Sequence, residues 1–371
     1  MPTDRPRLAI LTNMVAPYRR PLFELLGERF DLHVLLTGFE PNRPDWRGLS
    51  EHGRLFQVHA VRGLQVSPPR RRAGTTIDRQ RIHLNPSLLL SLARLRPDAV
   101  VTAEMGFRSL SALLFGKLAQ RPVWIWWGGT LHTERETGPL RRAIRRAVVR
   151  SNPRWISYGQ TSSEYLRSLG AVDERILTIQ NTVDESAFQR PAEPSHSFEP
   201  RPAILSVGQL IPRKGLSELL AAANRLWARG LRFSLVVAGS GPERQRLVRS
   251  VGPDREPLVH FVGSVPTESM PGLYRSCDAF VFPTLEDVWG LAVNEAILCG
   301  LPVACSRYAG CAPELVAPEA MFDPTDQSSI DRALESAVRG TLPPSDPSRV
   351  WPIARVADAI AGDILRVVGS R

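Results

Sequence analysis

The chain has 371 residues, 43% hydrophobic and 23% charged, a composition that excludes disordered and fibrous classes and at this length argues for two domains. No apolar run reaches the roughly 20 residues that a membrane span needs, and MPTDRPRLAILTNMVAPYRRP has neither the apolar core nor the small-residue cleavage site of a secretory leader. The expectation is a soluble, cytoplasmic protein. Its net charge of +10 lies wholly in the first half: residues 1–190 carry 29 Arg and Lys against 17 Asp and Glu, residues 191–371 carry 18 against 20.

In chain order, apolar strands are expected at Leu8–Leu11, Leu32–Leu36, Ala99–Thr102, Val123–Trp126, Trp155–Tyr158 and Ile176–Ile179. Amphipathic helices are expected between them, at Arg20–Leu26, Ser87–Leu95, Leu110–Ala119 and Leu140–Val149. After Gln189–Pro202, whose four prolines and lack of periodicity read as a linker, further strands follow at Ala203–Val207, Ser234–Val237, Val259–Val262, Ala279–Phe282 and Val303–Cys305. Helices should start near Gly215, Pro242, Pro266, Asn294 and Ser328, with a final one over Val350–Val368. The alternation predicts two parallel, doubly wound sheets. The domains are drawn at 1–190 and 203–349, with a linker at 191–202 and a C-terminal helix at 350–371 packing back on the first domain.

Three strand ends in the second half carry the chemistry. Ser206-Val207-Gly208-Gln209-Leu210 runs into Pro212-Arg213-Lys214-Gly215 and a helix. A glycine-bearing turn with two cations at a helix start suits an anion such as a diphosphate. Only Lys117 and Lys214 are lysines among the 47 basic residues, so a compact point charge at 214 is notable. Next, Ala238-Gly239-Ser240-Gly241-Pro242 lets backbone approach a ligand. Then Asp287 and Glu295 stand eight residues apart around Gly290 and Leu291. The loop acid could accept bonds from sugar hydroxyls and Glu295 from ribose hydroxyls, while N–H groups at Gly290–Ala292 could point at phosphate.

This ordered set resembles the GT-B family of retaining nucleotide-sugar glycosyltransferases, family four, also called glycosyltransferase group 1. The matching residues are Gly208…Lys214-Gly215, Gly239-Ser240-Gly241-Pro242, Asp287…Glu295 and Ala296-Ile297-Leu298-Cys299-Gly300-Leu301-Pro302-Val303. Gln209 stands where the family usually has Arg, with Arg213 four residues on, and Asp287 where it usually has Glu. The resemblance implies an α/β GT-B fold, two Rossmann-like doubly wound domains facing each other across a cleft. It also implies transfer of a sugar with retention from a nucleotide-diphosphate sugar to a glycan, lipid-linked or other hydroxyl acceptor, in polysaccharide or glycoconjugate synthesis. Donor-binding residues would be Gly208, Arg213, Lys214, Gly239, Gly241, Asp287, Gly290, Leu291 and Glu295. No metal or other cofactor is implied.

The first half matches more loosely, through Asn13…Ala16-Pro17-Tyr18-Arg19. Asn13, Arg19, Glu104, Gly128 and Gly129 are the acceptor-side candidates, because each follows a strand where ligands of open α/β sheets bind. His132 and Glu104 are the catalytic candidates there, with Lys214 and Asp287 from the second half. The four cysteines Cys277, Cys299, Cys305 and Cys311 form no CxxC pair and read as reduced thiols.

The arginines fall in two clusters, Arg70, Arg71, Arg72, Arg79 and Arg81, then Arg141, Arg142, Arg145, Arg146 and Arg150. They lack the aromatic interleaving of a nucleic-acid surface. Instead they suggest an anionic membrane surface, with the chain peripheral on its inner face. Within Leu140–Arg150, Arg141, Arg142, Arg145 and Arg146 should share one broad helical face while Ile144 and Val148 share another. The competing readings are a non-catalytic nucleotide-sugar-binding scaffold and another GT-B enzyme such as a nucleotide-sugar epimerase.

Overall fold

The computed structural model describes residues 5–38, 53–66, 69–72, 75–79, 82–151 and 153–370, and the side chains of 65–83 lie outside that description. The chain forms two α/β units, one of Met1–Pro69, Arg79–Asn181 and Trp351–Arg371, the other of Arg70–Asp78 and Thr182–Val350.

The first unit is a seven-stranded sheet of β1 (Arg7–Thr12), β2 (Asp31–Leu36), β3 (Phe56–Ala60), β4 (Ala99–Ala103), β5 (Val123–Trp127), β6 (Arg154–Tyr158) and β7 (Ile176–Ile179). All are parallel, in the order β7-β6-β5-β4-β1-β2-β3. Strands covered on both faces need apolar side chains in both directions, and Leu8, Ala9, Ile10 and Leu11 of β1 are all buried, as is every residue of β5. The unforeseen β3, with sequence FQVHA, is the edge strand, and its exposed Gln57 and His59 hide the pattern. Helices α1 (Arg20–Gly27), α2 (Leu88–Leu95), α3 (Phe107–Ala119), α4 (Pro139–Arg150) and α5 (Gly159–Ser168) accompany the sheet. Leu64–Val66 and Ile82–Leu84 pair as a short antiparallel ribbon.

The second unit holds β8 (Ala203–Val207), β9 (Ser234–Ala238), β10 (Val259–Gly263), β11 (Ala279–Phe282), β12 (Val303–Ser306) and β13 (Met321–Phe322), in the order β10-β9-β8-β11-β12-β13. Its helices are α6 (Glu185–Gln189), α7 (Leu216–Ala228), α8 (Arg244–Val251), α9 (Met270–Arg275), α10 (Leu291–Leu298), α11 (Ala312–Leu315) and α12 (Gln327–Val338). Helix α10 begins three residues before the expected Asn294. The stretch 191–202, expected to be a linker, packs on this unit instead. Phe198 is buried between the rings of His196 and His260, and Arg201 binds Asp278 at 2.6 Å and the Ser276 carbonyl at 2.7 Å. Its prolines stiffen a segment that buried contacts then fix, which composition alone could not show.

Helix α13 (Ile353–Gly369) belongs to the first unit. Ile353, Val356, Ile360 and Ile364 form its buried stripe. The Trp351 N–H donates to Gln180 at 2.9 Å, and Arg29 lies 3.1 Å from Asp358. Asp363 accepts a 2.8 Å bond from the indole of the fully buried Trp124 and sits 3.5 Å from Arg154.

In each sheet one strand, β1 or β8, has its successor on one side and a later strand on the other. It is at the carboxyl ends of the strands flanking such a switch point, on the loops that leave them, that open α/β sheets bind ligands. In the second unit the loops are 208–215 and 283–290; in the first they follow β1 and β4.

Replacing Asp363 with Ala leaves the Trp124 indole N–H without its acceptor, and an unsatisfied buried donor costs roughly 1–3 kcal/mol. Asp363→Ala is expected to lower the unfolding free energy of the first unit by that amount, read from a urea titration followed by tryptophan fluorescence.

Candidate functional site

At the switch point of the second sheet, backbone touches backbone. Gly215, at φ +70°, faces the Pro283 carbonyl so closely that a Cβ would lie 1.9 Å from its oxygen. Gly239, at φ +131°, stands in the same relation to Gly208 O, also at 1.9 Å. Hydrogen bonds stitch the loops together: Leu210 N to Ser240 O at 2.9 Å, Leu285 N to Arg213 O at 2.9 Å, and Thr284 Oγ1 to Arg213 O at 3.1 Å. The loops after β8, β9 and β11 therefore form one rigid shelf.

Lys214 and Arg213 project from that shelf. The Lys214 ammonium donates to Asp287 Oδ2 and lies 5.3 Å from the centre of the Phe282 ring, and Arg213 donates to Glu286 O at 3.3 Å. Asp287 Oδ1 accepts from Trp289 N at 3.3 Å. Burial pushes the Asp287 carboxyl up, but Lys214, Arg213 and the Trp289 N–H outweigh it and hold it below the usual carboxylate range. Both oxygens of Asp287 are thus engaged. In this structure Asp287 holds the lysine, each of its oxygens accepting one bond.

The N-terminus of α10 completes the shelf. Gly290 is its N-cap at φ +110°, and no side chain caps it. The first N–H groups, at Leu291 and Ala292, are turned to whatever lies beyond the helix end, together with the positive end of its dipole. A residue larger than glycine at 290 would put Cβ 2.8 Å from the Phe282 ring. One turn on, Glu295 accepts a 2.7 Å bond from the buried Tyr274 hydroxyl. Burial pushes the Glu295 carboxyl up to about 7, the tyrosine bond pulling only part of the way back. Sequence reasoning missed Tyr274: it lies in α9, outside every motif, and only the fold brings it to Glu295. Trp289, whose indole donates to Asn294 Oδ1 at 2.9 Å, locks the loop to the helix.

The first-unit candidates are placed unevenly. Glu104 follows β4 in the left-handed region (φ +66°), with its side chain 67% exposed and 3.5 Å from the buried Arg108. The same region is used by Arg96 and Gln120, which end helices α2 and α3, whereas Glu104 uses it in the turn that follows a strand. Arg19 follows β1, donates to Tyr158 at 2.5 Å, and packs against the rings of Tyr18, Trp126 and Tyr158. Asn13 uses Oδ1 to hold Met14 N at 3.1 Å and so shapes its own loop. Gly128 is partly exposed. Gly129 is buried, with room only for the Trp127 ring, 2.6 Å from a would-be Cβ, and its carbonyl accepts the Trp127 indole at 2.9 Å. A Cβ there would also meet the Glu134 carboxylate at 2.8 Å. His132 lies half-buried in the turn closed by the reciprocal Thr130–Thr133 bonds.

The second arginine cluster needs a correction. Arg145 does not share an exposed face with Arg141, Arg142 and Arg146. It is 7% exposed, bonded to Glu134 and, at 2.6 Å, to the Tyr165 hydroxyl, and it lies over the Trp127 ring. Val148 and Val149 are buried with it. In the first cluster, Arg81 and the side chains of Arg70, Arg71, Arg72 and Arg79 lie outside the described residues.

Residues 189–348 match the family described as Glycosyl transferases group 1. The chain is 31% identical over 178 residues to O-antigen chain mannosyltransferase B of Escherichia coli, covering 45% of this chain and 46% of that protein. It is 25% identical over 258 residues to 2-deoxystreptamine glucosyltransferase of Streptomyces kanamyceticus, covering 63% and 67%. The alignment to the first thus spans about half of that relative's length. Among solved structures, Anabaena Alr3699/HepE in complex with UDP and glucose superposes with a TM-score of 0.66 at 16% identity, over 99% of this chain and 98% of that one. That likeness establishes the GT-B fold, two Rossmann-like α/β domains.

Glu295 gives the site a pH signature. Its carboxyl titrates near 7 in the folded chain and near about 4.3 unfolded, so folding favours the protonated form. The residue costs no stability below about pH 4, costs progressively more as pH rises towards 7, and stays costly above that. Glu295→Gln is therefore expected to raise the thermal midpoint at pH 8 and leave it unchanged near pH 4, measured by calorimetry. A lowered midpoint at pH 8 would contradict this electrostatic account.

Proposed function

We propose that this chain, whose residues 189–348 match the glycosyl transferases group 1, moves a sugar from a nucleotide-diphosphate sugar to a hydroxyl of a glycan or lipid-linked acceptor. The observation that carries the proposal is the shelf at the second switch point, where Arg213, Lys214, the uncapped start of α10 and Glu295 adjoin one rigid set of loops. Glu295 accepts from the ribose hydroxyls. Lys214, Arg213 and the N–H groups of Leu291 and Ala292 meet the phosphates. The glycines at 208, 239, 241 and 290 let backbone lie against the donor.

In the reaction the acceptor oxygen bonds to the anomeric carbon as its bond to the distal phosphate oxygen breaks. Entry on the face from which the phosphate leaves gives retention. The acceptor proton passes to the departing phosphate oxygen, and the negative charge that grows there is stabilised by Lys214, Arg213 and the helix N–H groups. The design calls for no metal, because two side-chain cations and a helix end supply the positive charge. Asp287 keeps Lys214 aimed between turnovers. Glu104, His132, Arg19 and Asn13 serve the acceptor, which on this reading is membrane-proximal, at the inner face of an anionic bilayer, in polysaccharide or glycoconjugate synthesis.

A panel of UDP- and GDP-sugars, scored for nucleotide release with and without lipid-linked acceptors and then for anomeric configuration by NMR, tests the proposal. Nucleotide binding with no transfer under any condition would leave a binding scaffold in its place. Chelation by EDTA is expected to leave turnover unchanged.

Lys214→Ala alone would strand the buried Asp287 carboxylate, at roughly 3–5 kcal/mol, enough to confuse a folding defect with a binding defect. Lys214→Ala combined with Asp287→Asn avoids this. The loss of a charged hydrogen-bond partner, roughly 1.5–3 kcal/mol, should lower turnover at least about tenfold with an unchanged thermal midpoint. His132→Ala is expected to lower turnover while the nucleotide dissociation constant, measured by calorimetry, stays the same. Wild-type turnover in that variant would make His132 structural and leave Glu104 as the acceptor-side residue.

A further inference from the structure

Helix α3 is apolar on two opposite faces. Ala112, Phe115 and Gly116 point into the unit, and Gly116 approaches β5 so closely that a Cβ would meet Val123 at 2.5 Å. On the outer side Leu110, Leu114 and Leu118 recur every fourth residue and are exposed, Leu118 to 76%. Helix α4 adds a parallel stripe, with Leu140 75% exposed and Ile144 47%. A groove of about 680 Å³ lies between the two helices, lined by Leu110, Leu114, Lys117, Ile144, Ala147 and Val367 of α13. A helix that is apolar all round belongs in a core or at a lipid surface, and exposed aliphatic patches of this kind mark contact sites.

The charges on the same two helices identify the contact. Neither Phe107–Ala119 nor Pro139–Arg150 contains an Asp or Glu. Once the buried Arg108 and Arg145 are set aside, Lys117, Arg141, Arg142, Arg146 and Arg150 remain exposed on these two helices, and Lys117 lines the groove itself. A second copy of the chain docked by two-fold symmetry would set these cations against one another. An anionic bilayer meets both demands, accepting the aliphatic side chains below the headgroups and the cations among them.

We infer that the face formed by α3 and α4 is the membrane-docking surface, the outer stripes of the two helices lying in the plane of the bilayer. The inference rests on the reading of a membrane-proximal acceptor and assigns it a place. It also changes the nature of the attachment. The arginine clusters singled out in the sequence would bind by charge and release in salt, whereas five exposed aliphatics add a component that salt does not screen.

Co-sedimentation of the full chain with vesicles of equimolar phosphatidylglycerol and phosphatidylcholine, and with phosphatidylcholine alone, tests this without any sugar donor. The wild type is expected to pellet with the anionic vesicles, weakly with the neutral ones, and to retain part of its binding at 1 M salt, where the Debye length is about 3 Å. Leu118→Glu combined with Ile144→Glu should cut binding at least about tenfold in both salts. Arg146→Gln combined with Arg150→Gln should weaken it roughly fivefold per charge at low salt only. All four positions are exposed, so thermal midpoint and nucleotide affinity should match the wild type, which separates loss of docking from loss of fold. If the wild type binds and the Leu118 and Ile144 variant binds equally, the face is wrong although the membrane reading stands. If the wild type pellets with neither vesicle, both fall while the transferase assay stands apart. A dimer that the same variant dissolves would overturn the inference in favour of a second copy.

Discussion

Two carbonyl oxygens, those of Gly208 and Pro283, set the terms for the second unit. Each faces a glycine at a distance no Cβ could share, 1.9 Å at Gly239 and at Gly215. Because the backbones meet there, the loops leaving β8, β9 and β11 cannot move independently. Lys214 is the residue before one of these glycines, and Asp287 lies four residues after Pro283. The close approach therefore brings the ammonium to the carboxylate with little side-chain freedom left to lose. Preorganisation of this kind lets a site stabilise developing charge without rearranging at the moment of reaction.

The two carboxylates of the site are driven in opposite directions by their surroundings. Asp287 is as enclosed as its neighbour but has two cations and an amide beside it, so it stays ionised below the ordinary range. Glu295 has only the Tyr274 hydroxyl, and burial prevails. Groups of one chemical type whose environments separate their titration take separate roles. Here one serves as a fixed counter-charge, and the other as an acceptor that gains from the hydrogen bonds a ligand brings.

The fold was legible because both sheets are fully covered: strands such as LAILT and AILSV can only be apolar runs, and glycine-rich turns fall at their ends. Edge elements were harder to see. The polar FQVHA of β3 alternates for a face that is half solvent. Glycines were ambiguous, since sequence shows that a side chain is missing and not what fills its place; at Gly129 it is the Trp127 ring. The helical wheel of α4 grouped Arg145 with its exposed neighbours because charge is ordinarily a surface property. Its partners, Glu134 and Tyr165, come from a preceding turn and a following helix that no local pattern joins to it. Tyr274 was invisible for the same reason.

Helix α13 gives the first unit a discontinuous chain. Trp124 in its sheet, Arg154 beside it and Gln180 at its exit all find partners in residues 351–363, which a ribosome delivers after both segments of the second unit, Arg70–Asp78 and Thr182–Val350. Vectorial synthesis thus reverses the order of the sequence. The half that emerges first must wait, its indole and guanidinium uncovered, while the half that emerges later can fold at once. The first unit, which holds the acceptor-side residues, is sealed only by the last helix described.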